Sequence, residues 1–288
     1  MENLTAAAAD AQIAALRQND VRRDYLNEVY QQEVRQQYAL NLNGGGKQHS
    51  YYASVGYDKS NQSLRSNSND RLSLKLENTL QPLKGLELNA NIQYSSSNVE
   101  SLNSNAALGF GQLKSGGRTL YPYASLVNSD GSAAIIEKDF RKKYTDAIPV
   151  ALLNWDYAPL EELRMPGQNI NNNALLMDAG IKYTVNKWLK TSLNYRHQEE
   201  VFDLRDYRSV DSYFTRNLIN LYSQASGTAI TRNIPLGDIL NQTSSKSIAD
   251  NFRSQLDVNH IWKKHEFSGI AGAEIRQIET NADSRRTY

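Results

Sequence analysis

From Gln37 onward, apolar and polar residues trade places at every second position, the period at which a β-strand turns opposite faces to its surroundings. Tyr38, Leu40 and Leu42 alternate with Ala39, Asn41 and Asn43, and Gly44-Gly45-Gly46 follows as a turn. Tyr51, Ala53, Val55 and Tyr57 then oppose Tyr52, Ser54, Gly56 and Asp58. After a Ser/Asn-rich loop to Asn69, Leu72, Leu74 and Leu76 oppose Arg71, Ser73, Lys75 and Glu77. Pro82-Leu83-Lys84-Gly85 turns the chain into Leu86, Leu88, Ala90, Ile92 and Tyr94. The pattern returns at Leu175, Met177, Ala179, Ile181 and Tyr183, turns at Asn186-Lys187-Trp188, and runs on through Leu189, Leu193 and Tyr195. A last pair carries Phe252, Leu256 and Val258, then Phe267, Ala271, Ala273 and Ile275, with Ile270 out of phase on the polar side.

These runs predict strand pairs at about 37–58, 70–97, 173–198 and 250–278. Most strands reach the ~9–11 residues that a tilted membrane strand needs, beyond the ~5–6 of an ordinary strand. Connections alternate as well: short at 44–48, 82–85, 186–188 and 263–265, long at 59–69, 97–172 and 199–250. Short turns at one end and long loops at the other are the habit of outer-membrane barrels. A soluble sandwich also alternates, so periodicity by itself leaves that architecture open. Residues 1–35 read differently. Ile13, Leu16, Val21, Tyr25, Leu26 and Val29 sit at roughly helical spacing among charges, which predicts an amphipathic helical connector. Val210 to Tyr222 predicts a short helix, and 223–250 a mobile stretch.

Composition changes this picture in two places. Mean hydropathy is −0.62, and no run approaches the ~20 apolar residues of a membrane helix. A barrel strand hides from that scan, because only every second residue meets lipid. Tyrosine dominates the aromatics, 17 against 6 Phe and 3 Trp, which suits amphipathic rings at a membrane–water boundary. With 32 Lys+Arg against 31 Asp+Glu, no basic surface argues for nucleic acid. No cysteine is present, which removes disulfides, thiolate metal sites and Cys nucleophiles. The first residues show no export signal, so the chain is expected to be either cytosolic or an excerpt of an exported protein.

Leu16-Arg-Gln-Asn-Asp-Val-Arg-Arg-Asp24, Gln36-Gln-Tyr-Ala-Leu-Asn-Leu-Asn-Gly-Gly45 and Tyr52-Ala-Ser-Val-Gly-Tyr-Asp58 together resemble the start of the barrel in SusC/RagA-type TonB-linked outer-membrane transporters. Leu120-Tyr-Pro-Tyr-Ala124, Leu153-Asn-Trp155, Arg216-Asn-Leu-Ile-Asn220, Ile234-Pro-Leu-Gly-Asp-Ile-Leu240 and Gly272-Ala-Glu-Ile-Arg276 continue the resemblance, which runs from about Leu16 to Ile278. It implies an all-β, antiparallel transmembrane barrel of about 22 strands in the outer membrane of a Gram-negative bacterium, here represented by about eight. Residues 1–35 would then join plug to barrel, and 36–288 would be a partial barrel with extracellular loops at 97–172 and 199–250. The resemblance also implies import of oligosaccharides or peptides, driven by TonB, with a SusD-like lipoprotein as partner. A soluble glycan-binding β-module and a small closed eight-stranded barrel are the rival readings. The second requires the first strand, at Tyr38 and Leu42, to pair with the last around Ala273.

Catalytic chemistry is not expected. His265-Glu266 lacks the second His of a zinc-protease helix, and neither a Gly-x-Ser-x-Gly elbow nor a phosphate-binding Gly-Lys loop occurs. No cofactor and no metal are expected. Glu77, Glu87, Asp178 and Asp257 fall on the polar face with Arg71, Lys75, Lys182 and Arg253, as lining for a wet interior. Loops carry function more often than strands, and the long insertion offers Tyr121, Tyr123, Trp155 and Tyr157 as candidate contacts for substrate or lid. The competing expectation is that these rings pack the insertion against itself.

Overall fold

Period-two alternation becomes a single antiparallel meander in the computed structural model, which describes residues 5–102, 110–114, 118–148, 152–227 and 229–288. The strands are β1 (Val34–Gly45), β2 (His49–Asn61), β3 (Ser68–Leu83), β4 (Leu86–Ser101), β5 (Gln168–Thr184) and β6 (Leu189–Arg208). Then come the short β7 (Ser223–Ser226) and β8 (Ala229–Arg232), and the long β9 (Ile239–Trp262) and β10 (His265–Thr287). Eight of them form one sheet in the order β1-β2-β3-β4-β5-β6-β9-β10, while β7 and β8 pair with each other. β1 and β10 occupy opposite edges and are not paired to each other, so the small closed barrel is not formed.

Register keeps like with like. Tyr38 faces Tyr57, Leu40 faces Val55, Leu74 lies between Val55 and Tyr94, and Ile181 lies between Leu88 and Leu193. A one-residue slip anywhere would send these side chains to the polar face. The apolar belt is open to its surroundings: Leu74 is 40 % and Ile181 47 % exposed. Among the described residues no layer covers this side of the sheet, which is the opposite of a compact soluble core.

Aromatic rings bound the belt. Tyr38, Tyr57, Tyr94, Tyr195 and Phe252 mark its edge nearer the long connections. Tyr51, Tyr183, Trp188, His260, Trp262 and Phe267 mark the edge nearer the tight turns, where His260 lies 4.3 Å from the Trp262 ring. From Tyr51 to Tyr57, or from Leu86 to Tyr94, is roughly 20–26 Å of strand at ~3.3 Å per residue, or roughly 15–20 Å of height at the ~40° tilt of barrel strands, against the ~25 Å apolar band of outer-membrane barrels.

Local chemistry fixes the tight turns. Asn186 Oδ1 accepts the N–H groups of Trp188 at 3.0 Å and Leu189 at 2.9 Å, an Asx turn between β5 and β6. Gly85 closes the β3–β4 turn at φ +86°, where a side chain would be strained.

Two expectations are corrected. Residues 223–250 are not a mobile stretch: they hold the β7–β8 hairpin and the first half of β9. The sequence hid this because β9 runs beyond the aromatic rows, where apolar and polar residues no longer alternate. The helical region at the N-terminus is two helices, α1 (Ala6–Leu16) and α2 (Val21–Val29), each capped by a side chain, Thr5 and Asp20 respectively. The remaining helices are α3 (Lys142–Thr145), α4 (Pro159–Glu162) and α5 (Tyr213–Leu221). Among the described residues no helix is long and apolar enough to cross a membrane.

Candidate functional site

The polar face of the sheet carries a lattice of paired charges and amides. Arg71 bridges Asp58 at 2.8 Å, Lys75 bridges Glu77 at 2.8 Å, and Arg196 bridges Asp178 at 2.6 Å. Asn91 Nδ2 adds a 3.1 Å bond to Asp178. The expected lining is therefore present, with partners the sequence could not assign: Asp178 takes Arg196, not Lys182, and Asp257 accepts from Gln255, not Arg253. A cavity of about 780 Å³ opens on this face between Glu77, Asn91, Arg196, Arg253 and Glu274. Asn89 and Asn194 also line it, and they crowd Gly180 on β5, where a Cβ would run into both amide oxygens.

The principal apolar core lies elsewhere, at the end of the sheet where the long connections gather. Val21, Tyr25 and Val29 of α2 are buried together with Leu113, Leu120, Leu126, Tyr157, Leu160, Leu163 and Tyr213. This cap forms because α2 has one apolar stripe at i, i+4, i+8 and the insertion between β4 and β5 is long enough to need its own interior. Asp24 fastens the two by accepting from the Leu126 N–H at 3.0 Å and the Ser125 hydroxyl at 2.8 Å. The loop before β3 joins through the Gln31 N–H to the Ser63 carbonyl at 2.8 Å.

The four candidate rings separate into distinct roles. Tyr157 is 1 % exposed, edge-on to Tyr213 at 5.3 Å, with the Lys138 ammonium 4.0 Å from its ring centre. It is a core residue and presents no surface to a ligand, so its candidacy is withdrawn. Trp155 is half-buried; it packs edge-on to Phe140 and donates its indole N–H to Asn217 at 3.0 Å. Tyr121 and Tyr123 are exposed, 59 % and 51 %, on a Pro122 turn held by α2 through the Val21 N–H to the Pro122 carbonyl at 3.1 Å.

Buried charge ties α5 into the cap. Glu162 accepts the Tyr213 N–H at 2.7 Å, at the start of α5, where the helix dipole favours a carboxylate. Burial raises the Glu162 pKa, against the lowering pull of that N–H, Arg216 and Lys138. Burial likewise lowers Lys138 and raises Tyr213, whose hydroxyl also donates to Asp139. Desolvation followed by the nearby Tyr30 pushes Tyr25 up to about 12. These groups hold the cap together. Lys138, Asp139, Glu162, Arg216 and Asn220 escaped prediction because each lies isolated in sequence and meets its partners only across loops. Among the described residues, no group of three or more His, Asp or Glu is placed to hold a metal ion.

A structure of the RagAB peptide transporter superposes on this chain with a TM-score of 0.66 over 93 % of its length. The chain shares its fold with part of that transporter. Identity is 14 %, and the match takes up 27 % of the RagAB chain. The RagAB peptide importer in its "open-open" state gives 0.67 at 15 % identity, and in its "closed-closed" state 0.64 at 14 %. In these the match again covers 93 % of this chain, and 26 % and 30 % of theirs. This chain therefore spans between about a quarter and a third of the solved chains it resembles. No protein-family model and no curated protein matches it. The eight-stranded meander matches one portion of the fold of those longer chains.

Proposed function

We propose that this chain forms part of the wall and the extracellular cap of an outer-membrane importer for peptides or oligosaccharides. One observation carries the reading: an apolar belt bounded by two aromatic rows, with every tight turn beyond one row and every long connection beyond the other. In such a wall the belt meets lipid, the lattice of Asp178, Arg196, Glu77 and Lys75 lines the passage, and the cap stands outside the cell. The chain's part in transport is shape and polarity; no bond is made or broken. The fold shared with the RagAB peptide importer favours peptides as cargo. Energy from TonB and a SusD-like lipoprotein at the cap complete the proposal, with Tyr121 and Tyr123 as the rings available to cargo or partner. The stretch 1–35, which holds α1 and α2, serves in this reading as the connector between a plug and the barrel wall.

Since the chain has no cysteine, single cysteines test the orientation. Tyr123→Cys in the full transporter should react with a membrane-impermeant maleimide on whole cells, and Lys47→Cys only after the outer membrane is opened. Recovery in the aqueous fraction without detergent, or labelling of both sites from outside, would sink the membrane reading. Uptake that persists after TonB is deleted would remove the energetic part alone, and purification without a lipoprotein partner would remove the lid.

A further inference from the structure

Two stretches far apart in sequence, 153–156 and α5, meet in the cap through an unusual set of bonds. Asn220 donates Nδ2 to the Leu153 carbonyl at 2.7 Å and accepts the Leu153 N–H on Oδ1 at 2.9 Å. Arg216 donates Nε to the Asn154 carbonyl at 3.1 Å and a terminal nitrogen to the Asp156 carbonyl at 2.5 Å. Only Asn217 takes a side chain, the Trp155 indole N–H. The other hydrogen bonds between these groups end on main chain, and the Asp156 carboxylate also attracts the Arg216 guanidinium.

A primary amide that pairs with both the N–H and the C=O of one residue treats that residue as a neighbouring strand would. It reads an extended backbone and ignores the side chain. Arg216 extends the same reading to two further carbonyls. Leu153 is half-buried and Asn154 exposed, while Trp155 packs its ring against the edge of the core and Phe140. Asn220 is 6 % exposed, so its donors and acceptor cannot be left without partners, which is costly for a buried group. Something extended has to fill them.

We infer that Arg216, Asn217 and Asn220 form a binding site for the main chain of an extended peptide, and that residues 153–156 fill it as a strap. The inference rests on the import reading and adds to it a site and a ligand class. Tyr157 anchors the strap's far end: it is buried, and its carbonyl accepts the Ile136 N–H at 2.8 Å. A strap tethered this closely competes at high effective concentration. Apparent affinity for a peptide in solution is then the intrinsic affinity reduced by the fraction of molecules with the strap released.

The test uses the full transporter and a fluorescein-labelled peptide of the strap's own sequence, Leu-Leu-Asn-Trp-Asp-Tyr, followed by anisotropy. Asn220→Ala removes the reading group and should weaken binding about tenfold or more. Leu153→Pro removes the N–H that Asn220 accepts, loosens the strap, and should tighten binding about 5- to 10-fold. Trp155→Phe keeps a ring against Phe140 and loses only the indole N–H; it should tighten binding in the same direction, and it serves if Leu153→Pro does not fold. The probe N-methylated at its second leucine should bind at least about tenfold more weakly. Opposite signs for the strap and α5 variants support the site. If both strap variants leave binding unchanged, or weaken it as Asn220→Ala does, the contact is packing alone and the inference is overturned. If wild type binds no probe while cells still take up cargo, the peptide site falls and import stands. If binding and uptake are both absent, import falls with it.

Discussion

Leu76→Arg probes the facing of the sheet more sharply than any loop change. Leu76 sits on β3 between Ala53 and Ile92, near the middle of the apolar belt, and is 54 % exposed. In water such a residue would accept a charge almost freely, within about 0.5 kcal/mol, as surface substitutions do. In a bilayer, roughly half a leucine's transfer energy is lost, ~1 kcal/mol, and a guanidinium is placed in hydrocarbon. The total should reach about 2–4 kcal/mol at the midplane, a ~30- to ~700-fold shift at ~1.4 kcal/mol per factor of ten. Leu88→Arg lies beside the level of Tyr183 and the tight turns, so it should cost less, about 0–1 kcal/mol. Asn89→Arg, exposed on the polar face, should be mild. Urea unfolding of the full transporter in lipid vesicles, read by heat-modifiable gel mobility, gives all three. Equal costs at Leu76, Leu88 and Asn89 would refute the two-faced wall, and a depth gradient in the opposite order would refute the placement of the belt.

The cap and turns carry further expectations. Tyr157→Ala should cost the cap about 3–5 kcal/mol, seen as loss of hydrogen-exchange protection in α2 and α5 while the sheet stays protected. Glu162, raised by burial above its ordinary 4.5, stays protonated longer in the folded cap than in the unfolded chain, so its contribution to stability falls as pH rises from about 4.5 through the folded value. Glu162→Gln keeps an acceptor for the Tyr213 N–H and should flatten the pH dependence of cap exchange above about pH 4.5; an unchanged slope would show that another group titrates there. Gly272→Ala should destabilise by about 1 kcal/mol or more, because its Cβ would stand 2.7 Å from the Ser254 carbonyl. Gly46→Ala meets open space and should be near neutral by the same urea assay.

Much of the wall was legible along the chain. Leu72, Leu74 and Leu76 against Arg71, Ser73 and Lys75 dictate a two-faced strand wherever they are placed, and Lys84-Gly85 and Asn186 dictate where it turns. The strands still ran longer than the pattern, to Ser101 on β4 and back to Ile239 on β9. Beyond the aromatic rows the residues are polar on both faces, as at Ser95 to Asn98 and Asn241 to Ser247, so alternation stops and periodicity falls silent.

The cap was opaque for a different reason. That Tyr157 would be core while Tyr121 and Tyr123 stay exposed depends on where α2 docks, and Val21 meets Pro122 only after a separation of about a hundred residues has been closed. Likewise the amide of Asn220 finds Leu153 across 67 positions. Local sequence sets backbone preference and facing, because those arise between neighbours and from the solvent on each side. Which loops meet, and which polar groups are sealed between them, is settled by chain closure over long distances, where composition is mute and only the folded geometry selects partners.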